Sequence, residues 1–463
     1  MPAAKCPGRG VFRSVWRTSS QHTPARIPSI SHCNVVSRQR RWLGSQAVPQ
    51  SAPIHRHESS IGLRPEGPLV PFSRSPQQPD ASFASPGEAD AQGLAKWLES
   101  QADGRWLREI CSCRECRNQD TAQRNINVFK MNQKSSALRQ ISPAANSKGV
   151  EVIFEDGHES FFPIQAFINR TTAQTRENRA GFAPVKTWSA DIANNPPTVK
   201  HVDVKTGPGM SGLMRFIREY GFAFIDQMPA TPEASEDLLR SIGPIRDTHY
   251  GAFYDFTSDL SSKDTAYTAE ALEPHTDNTY FTEPAGLQAL HMLSHTGGSG
   301  GESSLVDGFA AAERLYRQDP RAYEILSTTG VHAHASGNDG VNIQPSQAVP
   351  TFVHDQTLGM LQQVRWNNAD RGGVATAFEN LKHWYDAAAQ FDEILSNVRN
   401  QYWFQLQPGK MLLFDNWRVL HGRAAFTGKR RMCGGYINRD DFISKYRTTN
   451  LSKDELSSST VTG

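Results

Sequence analysis

The sequence predicts a mainly β protein with flanking helices, a distorted double-stranded β-helix (jelly roll) preceded by a small β domain. Three observations point there. The runs Phe222-Ala223-Phe224-Ile225, Leu287 to Leu293 and Gly409 to Leu413 with Phe414 read as strands, rich in branched and aromatic residues. Helical segments with clear start and stop signals lie between them. Far upstream, Gly149 to Ile168 carries a hairpin signal. Alternating strands with inserted helices fit a jelly roll, but periodicity alone allows other β-rich folds and does not choose among them; no internal repeat is present.

The chain begins in a different physical class. Residues 1–57 hold nine Lys or Arg, eight of them Arg, and no acidic residue precedes Glu58. With its serines, this composition predicts a mitochondrial transit peptide and a matrix destination. Cleavage is expected shortly after Arg40-Arg41-Trp42-Leu43. Prolines at positions 2, 7, 24 and 28 weaken a long amphipathic helix, and a basic arm that binds nucleic acid or membrane is the alternative. Residues 58 to about 90 are rich in Pro, Ser and Gln and read as linker. Residues 1–90 are thus left out of the fold.

Next comes Cys111-Ser112-Cys113-Arg114-Glu115-Cys116, three thiols within six residues. Three thiolates need one more donor to complete a tetrahedral structural zinc site. Val150 to Phe154 runs into an Asp156-Gly157 turn, a strong hairpin signal, and His158 follows directly. Cys111, Cys113, Cys116 and His158 are therefore the candidate zinc ligands, with a disulfide or free thiols as alternatives. A reducing compartment disfavours the first, and three thiols so close disfavour the second. With no open coordination position, such an ion supports folding and not catalysis.

Gly209 to Tyr220 has helical spacing and breaks at Gly221. Thr231-Pro232-Glu233 starts a helix with Thr as N-cap and Pro at the first position, stopping near Gly243-Pro244. Asp307 to Tyr316, Pro320 to Ser327 and much of Asn380 to Asn400 are expected to be helical.

The chemistry is concentrated in His275-Thr276-Asp277 and in His421. Two imidazoles and one carboxylate are the facial triad that holds non-haem Fe(II) and leaves the opposite positions open. In an extended strand residues i and i+2 share a face, so His275 and Asp277 can converge while Thr276 turns away. The strand at Gly409 to Phe414 leads to His421. A second tripeptide, His201-Val202-Asp203, matches the pattern without such context. Nine residues after His421 stands Arg430, whose planar fork of donors suits the distal carboxylate of a 2-oxo acid. On a strand, Arg430, Met432, Gly434 and Tyr436 share one face and Arg431 points outward. An ordinary cationic residue in Lys429-Arg430-Arg431 is the plainer reading of Arg430.

At these residues the chain resembles a known family. From about 188 to 448 it is similar to the taurine-dioxygenase-like superfamily of 2-oxoglutarate oxygenases, and within it to the carnitine-pathway hydroxylases of trimethyllysine and γ-butyrobetaine. The stretches His275 to Phe281, Leu305-Val306-Asp307-Gly308-Phe309 and Asp415 to Arg423 are close to the trimethyllysine branch. The resemblance implies His275, Asp277 and His421 as iron ligands, Arg430 as the anchor of 2-oxoglutarate, and Ser303 as a hydroxyl assisting that cosubstrate. It also matches the cysteine cluster and His158 to a small zinc-binding domain. The specific choice of a double-stranded β-helix over other β-rich folds rests on this resemblance. The domain plan is then 91–180 for that module, 188–448 for a jelly-roll oxygenase and 449–463 for a tail.

A trimethylammonium group has no N–H to donate, and aromatic faces attract it at about 0.5 to 2 kcal/mol per contact. Tyr250, Tyr254, Tyr267 and Tyr436 match the cage positions of γ-butyrobetaine hydroxylase, where one of them, Tyr254 here, is tryptophan. Each alone could equally be a core aromatic with a bonded hydroxyl. Asp264 stands where those enzymes have asparagine; it would attract an α-ammonium and repel a substrate with only a carboxylate, or it could be a helix cap or a solvated loop residue. Asn367 is the candidate for the substrate carboxylate.

The implied activity is hydroxylation of N6,N6,N6-trimethyllysine at C3 in carnitine biosynthesis, using Fe(II), 2-oxoglutarate and O2, releasing succinate and CO2, with ascorbate as reductant and a structural zinc. γ-Butyrobetaine hydroxylation by the same residues is the alternative, and a non-enzymatic metal-binding or interaction protein is a third reading. Net charge is only +2 over 463 residues, so nucleic acid is not an expected partner. No apolar run of about 18 residues exists, so no membrane-spanning helix is expected. Of six cysteines only Cys433 lies beyond the leader and the cluster, which implies no disulfide framework. A homodimer is compatible with the sequence, which does not decide it.

Overall fold

The computed structural model describes residues 90–146, 148–164, 167, 185–257, 268–355, 359–453 and 455–456. The basic leader, nearly all of the linker, Asp264 and Tyr267 lie outside the described residues.

The first module opens with helices Ala91–Gln101 and Gly104–Ile110, each started by an aspartate: Asp90 accepts from the Gly93 N–H at 2.6 Å and Asp103 from that of Arg105 at 2.8 Å. Leu94, Leu98 and Leu107 pack on an antiparallel sheet of β1 (Leu138–Pro143), β2 (Gly149–Phe154) and β3 (Glu159–Pro163), burying Val150, Val152, Phe154 and Phe162. β2 and β3 are the expected hairpin. Gly157 sits at φ 88° in its turn, a conformation most residues resist.

The core strands are β4 (Thr198–Lys200), β5 (Phe222–Asp226), β6 (Phe253–Thr257), β7 (Leu272–His275), β8 (Leu287–Thr296) and β9 (Ser303–Asp307). A lateral group follows: β10 (Gly330–Ala333), β11 (Val349–Pro350), β12 (Phe352–His354), β13 (Leu361–Val364) and β14 (Arg371–Ala375). The chain returns through β15 (Gln401–Phe404), β16 (Met411–Asp415), β17 (Val419–Arg423) and β18 (Lys429–Ile437). The large sheet has the order β4-β5-β16-β8-β18-β6 and the small one β15-β9-β17-β7.

Strand alternation assigns each residue to a layer. Phe222, Phe224, Leu412, Phe414 and Met432 of the large sheet meet Leu305, Tyr402 and Val419 of the small one in a common core. Their neighbours Ala223, Ile225, Met411 and Leu413 face outward onto helices Gly207–Tyr220 and Pro232–Ile242. Behind the small sheet, Val306 and Leu420 pack with helices Gly308–Gln318, Pro320–Thr328 and Phe378–Ser396. Two facing sheets with helices outside are the jelly roll expected.

The helix expected from Gly209 starts at Gly207, because the Thr206 hydroxyl caps it by accepting from the Gly209 N–H at 3.3 Å. It ends where Gly221 turns left-handed at φ 81°; a Cβ there would lie 2.6 Å from Val419. Thr231 caps the next helix as expected. Helix Phe378–Ser396 covers much of the expected span Asn380 to Asn400. His201-Val202-Asp203 lies on the helical turn His201–Val204, where residues two apart do not share a face.

Candidate metal and substrate site

β7 and β17 pair antiparallel with His275 directly opposite His421, and the two rings stand 4.3 Å apart, centre to centre. β7 ends at His275, so Asp277 comes from the following turn and not from a continuing strand as the spacing suggested. Asn278 takes φ 61° and turns the chain back. Asn416 clasps this turn: its Oδ1 accepts from the Asp277 N–H at 2.8 Å, and its Nδ2 donates to the carbonyls of Asp277 at 2.9 Å and Ala285 at 3.1 Å. Thr276 is buried and turned away. Its N–H donates to the Trp366 carbonyl at 2.7 Å, and its hydroxyl accepts from the Trp366 N–H at 3.0 Å.

Asp277 Oδ1 thereby lies 3.3 Å from His275 Nε2 and 3.8 Å from His421 Nε2, and one donor atom from each residue falls within 4.8 Å of the others. His275 Nδ1 bonds the Glu273 carbonyl at 2.8 Å, which fixes the tautomer and leaves Nε2 for an ion. Burial and the neighbouring His275 push His421 down to about 3, so its imidazole is neutral. Burial works to raise Asp277, but His421, His275 and the Tyr436 hydroxyl outweigh it and hold the carboxyl well below its usual range. Two imidazole nitrogens and a carboxylate converging within 4.8 Å are a donor set that fits ferrous iron.

Arg430 points inward and is buried, whereas Arg431 points out to Asp255 at 2.8 Å, as strand alternation required. The Arg430 guanidinium lies 4.8 Å over the Phe426 ring, its Nε has no hydrogen-bond partner, and a Cβ at Gly301 would come within 3.0 Å of it. A buried guanidinium with an orphan donor suits a carboxylate ligand. Ser303 opposes Arg423, and Leu305 opposes His421, so Ser303 lies on the His421 face of the small sheet.

Tyr436, a candidate cage residue, also reaches the triad. Its hydroxyl donates to Asp277 Oδ2 at 2.7 Å, and burial followed by the Asp277 charge pushes it well above its ordinary pKa. The Tyr254 ring lies 5.8 Å from that of Tyr436, and its hydroxyl donates to the Ala289 carbonyl at 2.7 Å. Tyr250 accepts from the Tyr280 hydroxyl at 3.5 Å. Tyr280, in the stretch that follows His275, was not among the sequence candidates, yet its hydroxyl reaches Tyr250. Its proton is held by burial first, with Asp277 contributing. Asn367 uses its amide locally: Nδ2 donates to Asp370 at 2.8 Å, and Oδ1 accepts from the N–H groups of Ala369 and Asp370 at 3.0 and 3.2 Å.

In the first module, His158 Nε2 lies 3.6, 3.8 and 3.5 Å from the sulfurs of Cys111, Cys113 and Cys116. All four donor atoms fall within 4.8 Å of one another. His158 Nδ1 meets the Glu115 carboxylate at 3.1 Å, and the Ser160 hydroxyl donates to Cys111 at 3.1 Å. The hydrogen bond with Cys116 leads in pulling the Cys111 thiol down to about 4, and the same bond, with burial, pushes Cys116 up. Three sulfurs and one imidazole converge as a closed set that fits zinc.

Residues 196–436 match the taurine catabolism dioxygenase TauD, TfdA family, and residues 96–167 match the gamma-butyrobetaine hydroxylase-like N-terminal family. The chain is 39% identical to the trimethyllysine dioxygenase of Neurospora crassa over 89% of its length and 97% of that protein's. It is 33% identical to the mitochondrial trimethyllysine dioxygenase of Homo sapiens, over 75% of this chain and 82% of that one. Gamma-butyrobetaine dioxygenase of Homo sapiens is 26% identical, over 74% and 89% respectively.

Proposed function

The chain belongs to the taurine catabolism dioxygenase TauD, TfdA family, among the trimethyllysine dioxygenases, and from that premise we propose how its side chains divide the hydroxylation of trimethyllysine. The protein is an enzyme that uses Fe(II), 2-oxoglutarate and O2. Bound iron with 2-oxoglutarate supplies the oxygen-activating chemistry, in which the cosubstrate leaves as succinate and CO2 and one oxygen enters the substrate. His275, Asp277 and His421 would hold the metal. Arg430, helped by Ser303, takes the distal carboxylate of 2-oxoglutarate. Tyr436 has two tasks: its hydroxyl fixes Asp277, and its ring joins Tyr250, Tyr254 and Tyr280 around the trimethylammonium. With both ends held, the C3 hydrogen faces the metal, and orientation is the protein's main contribution.

One observation carries this reading: the 2.7 Å bond from Tyr436 ties the aromatic wall to a carboxylate of the triad itself. Cys111, Cys113, Cys116 and His158 hold a zinc ion that supports folding of the first module. The mitochondrial names of the vertebrate relatives and the basic leader support a mitochondrial enzyme, and the matrix is the compartment assigned to it in this reading, with its product feeding carnitine synthesis.

The test is anaerobic loading with Fe(II), then O2, 2-oxoglutarate and trimethyllysine with mass detection. Equal amounts of succinate and a product carrying one added oxygen at C3 are expected. Succinate without hydroxylated trimethyllysine, or hydroxylation of γ-butyrobetaine alone, would overturn the reading.

A further inference from the structure

The turn from Asn367 to Asp370 is fastened to the metal motif. Thr276, between two proposed iron ligands, exchanges two hydrogen bonds with the Trp366 backbone, so the residues that follow Trp366 cannot move independently of His275 and Asp277. Trp366, Asn367 and Thr279 line a cavity beside that motif. At its edge the Asn367 amide spends its oxygen on two backbone N–H groups of its own turn and uses its nitrogen to hold Asp370 Oδ2 at 2.8 Å. An amide committed in this way is a poor first partner for a substrate carboxylate. It is a good device for holding an aspartate in one orientation. Asn367 and Asn368 before it and Arg371 after it line the same cavity, so Asp370, held by the Asn367 amide, stands at the rim of the space beside the metal motif.

Trimethyllysine has two cationic ends of different chemistry. The trimethylammonium has no donor and is satisfied by aromatic faces. The α-ammonium has three N–H donors and is satisfied by a carboxylate. We propose that Asp370 is a specificity-determining residue that receives the α-ammonium of the substrate, with Asn367 as its positioning residue. This rests on the reading of the substrate as trimethyllysine and names a carboxylate other than Asp264 for that end.

The experiment compares trimethyllysine with its analogue lacking the α-amino group, 6-(trimethylammonio)hexanoate, in the full enzyme and in Asp370→Asn, Asp370→Glu, Asn367→Ala and Asp264→Asn. In Asp370→Asn, kcat/KM for trimethyllysine is expected to fall about tenfold or more, mostly through KM, while the analogue stays within about twofold. Asp370→Glu should recover part of the loss, and Asn367→Ala should move the same ratio in the same direction by less. Calorimetric binding under argon, with Fe(II) and 2-oxoglutarate present, should show the same selective weakening without turnover. Equal losses on both substrates, no loss on either, or a ratio that moves only in Asp264→Asn overturns the assignment to Asp370. Failure of the unsubstituted enzyme to hydroxylate trimethyllysine would strike the reading of function instead, and it is seen before any substitution is made.

Discussion

The thiol cluster gathers all four donors from one short module, Cys111 to His158, whereas the triad reaches across the oxygenase core from His275 to His421. The proposed zinc set is closed, three sulfurs around one imidazole; the proposed iron set stops at three donors. A closed set spends the ion's binding energy on folding, and an open one keeps coordination positions for reactants. Supporting structure follows the same division. The thiol site sits on helix ends and a hairpin turn that its own ion can organise. The triad is held by partners the fold supplies without any metal: the β7–β17 register, the Asn416 clasp and the Thr276–Trp366 pair.

The largest effect expected is therefore on chemistry without loss of fold. His275→Ala should lower turnover by at least about a thousandfold, with the iron content of the protein lost and its zinc content and melting temperature nearly unchanged. Metal analysis alongside the assay checks this, and retained hydroxylation would remove His275 from the ligand set. The converse substitution, Cys116→Ser, should release zinc and unfold the first module, since structural zinc contributes on the order of 10 kcal/mol to small modules. Limited proteolysis should then cut within residues 91–167 while iron binding persists. A variant that keeps its zinc and resists protease would mean the cluster is not a closed zinc site.

How far these two sites were legible in the sequence follows the same contrast. The thiol cluster was readable because its donors are local: Cys111, Cys113 and Cys116 fall in one run, and the Asp156-Gly157 turn delivers His158 beside them. The triad ligands were readable from residue type and from the resemblance, but their local geometry was not. Asp277 was expected on the strand of His275, and it lies instead in a turn made by the left-handed Asn278 and held by Asn416. That contact spans 139 positions, and nothing in local periodicity encodes it. Strand alternation did place Arg430 inward and Arg431 outward, because β18 runs regularly there. Tyr280 and Asp370 escaped notice because the roles proposed for them come from tertiary neighbours rather than from a motif, and Asp264 and Tyr267 fall outside the described residues.

A smaller effect separates the two tasks of Tyr436. Tyr436→Phe keeps the ring and removes the donor to Asp277 Oδ2. Losing a partner that orients a metal ligand typically costs about 10- to 100-fold in metal affinity, so the Fe(II) concentration for half-maximal activity should rise by about tenfold while KM for trimethyllysine changes little. Tyr436→Leu should add a rise in that KM, because the aromatic face is lost as well. A Phe variant with unchanged iron dependence would reduce Tyr436 to a cage residue.

The smallest effect lies where the two sites are most alike. Each holds a histidine by Nδ1, the nitrogen that faces away from the other candidate ligands: His275 Nδ1 on the Glu273 carbonyl at 2.8 Å, His158 Nδ1 on the Glu115 carboxylate at 3.1 Å. The first partner is backbone, which no side-chain substitution removes. The second is a side chain 80% exposed, where water can replace it and solvent screens its charge. Glu115→Gln should therefore weaken zinc only about two- to fivefold, well short of what a buried partner would cost, and should leave turnover at saturating iron unchanged. Competition against a chelating dye measures the zinc term directly. A tenfold or greater loss would mean that Glu115 is shielded when the ion is bound, and that the thiol site, like the triad, relies on a fixed partner behind its histidine.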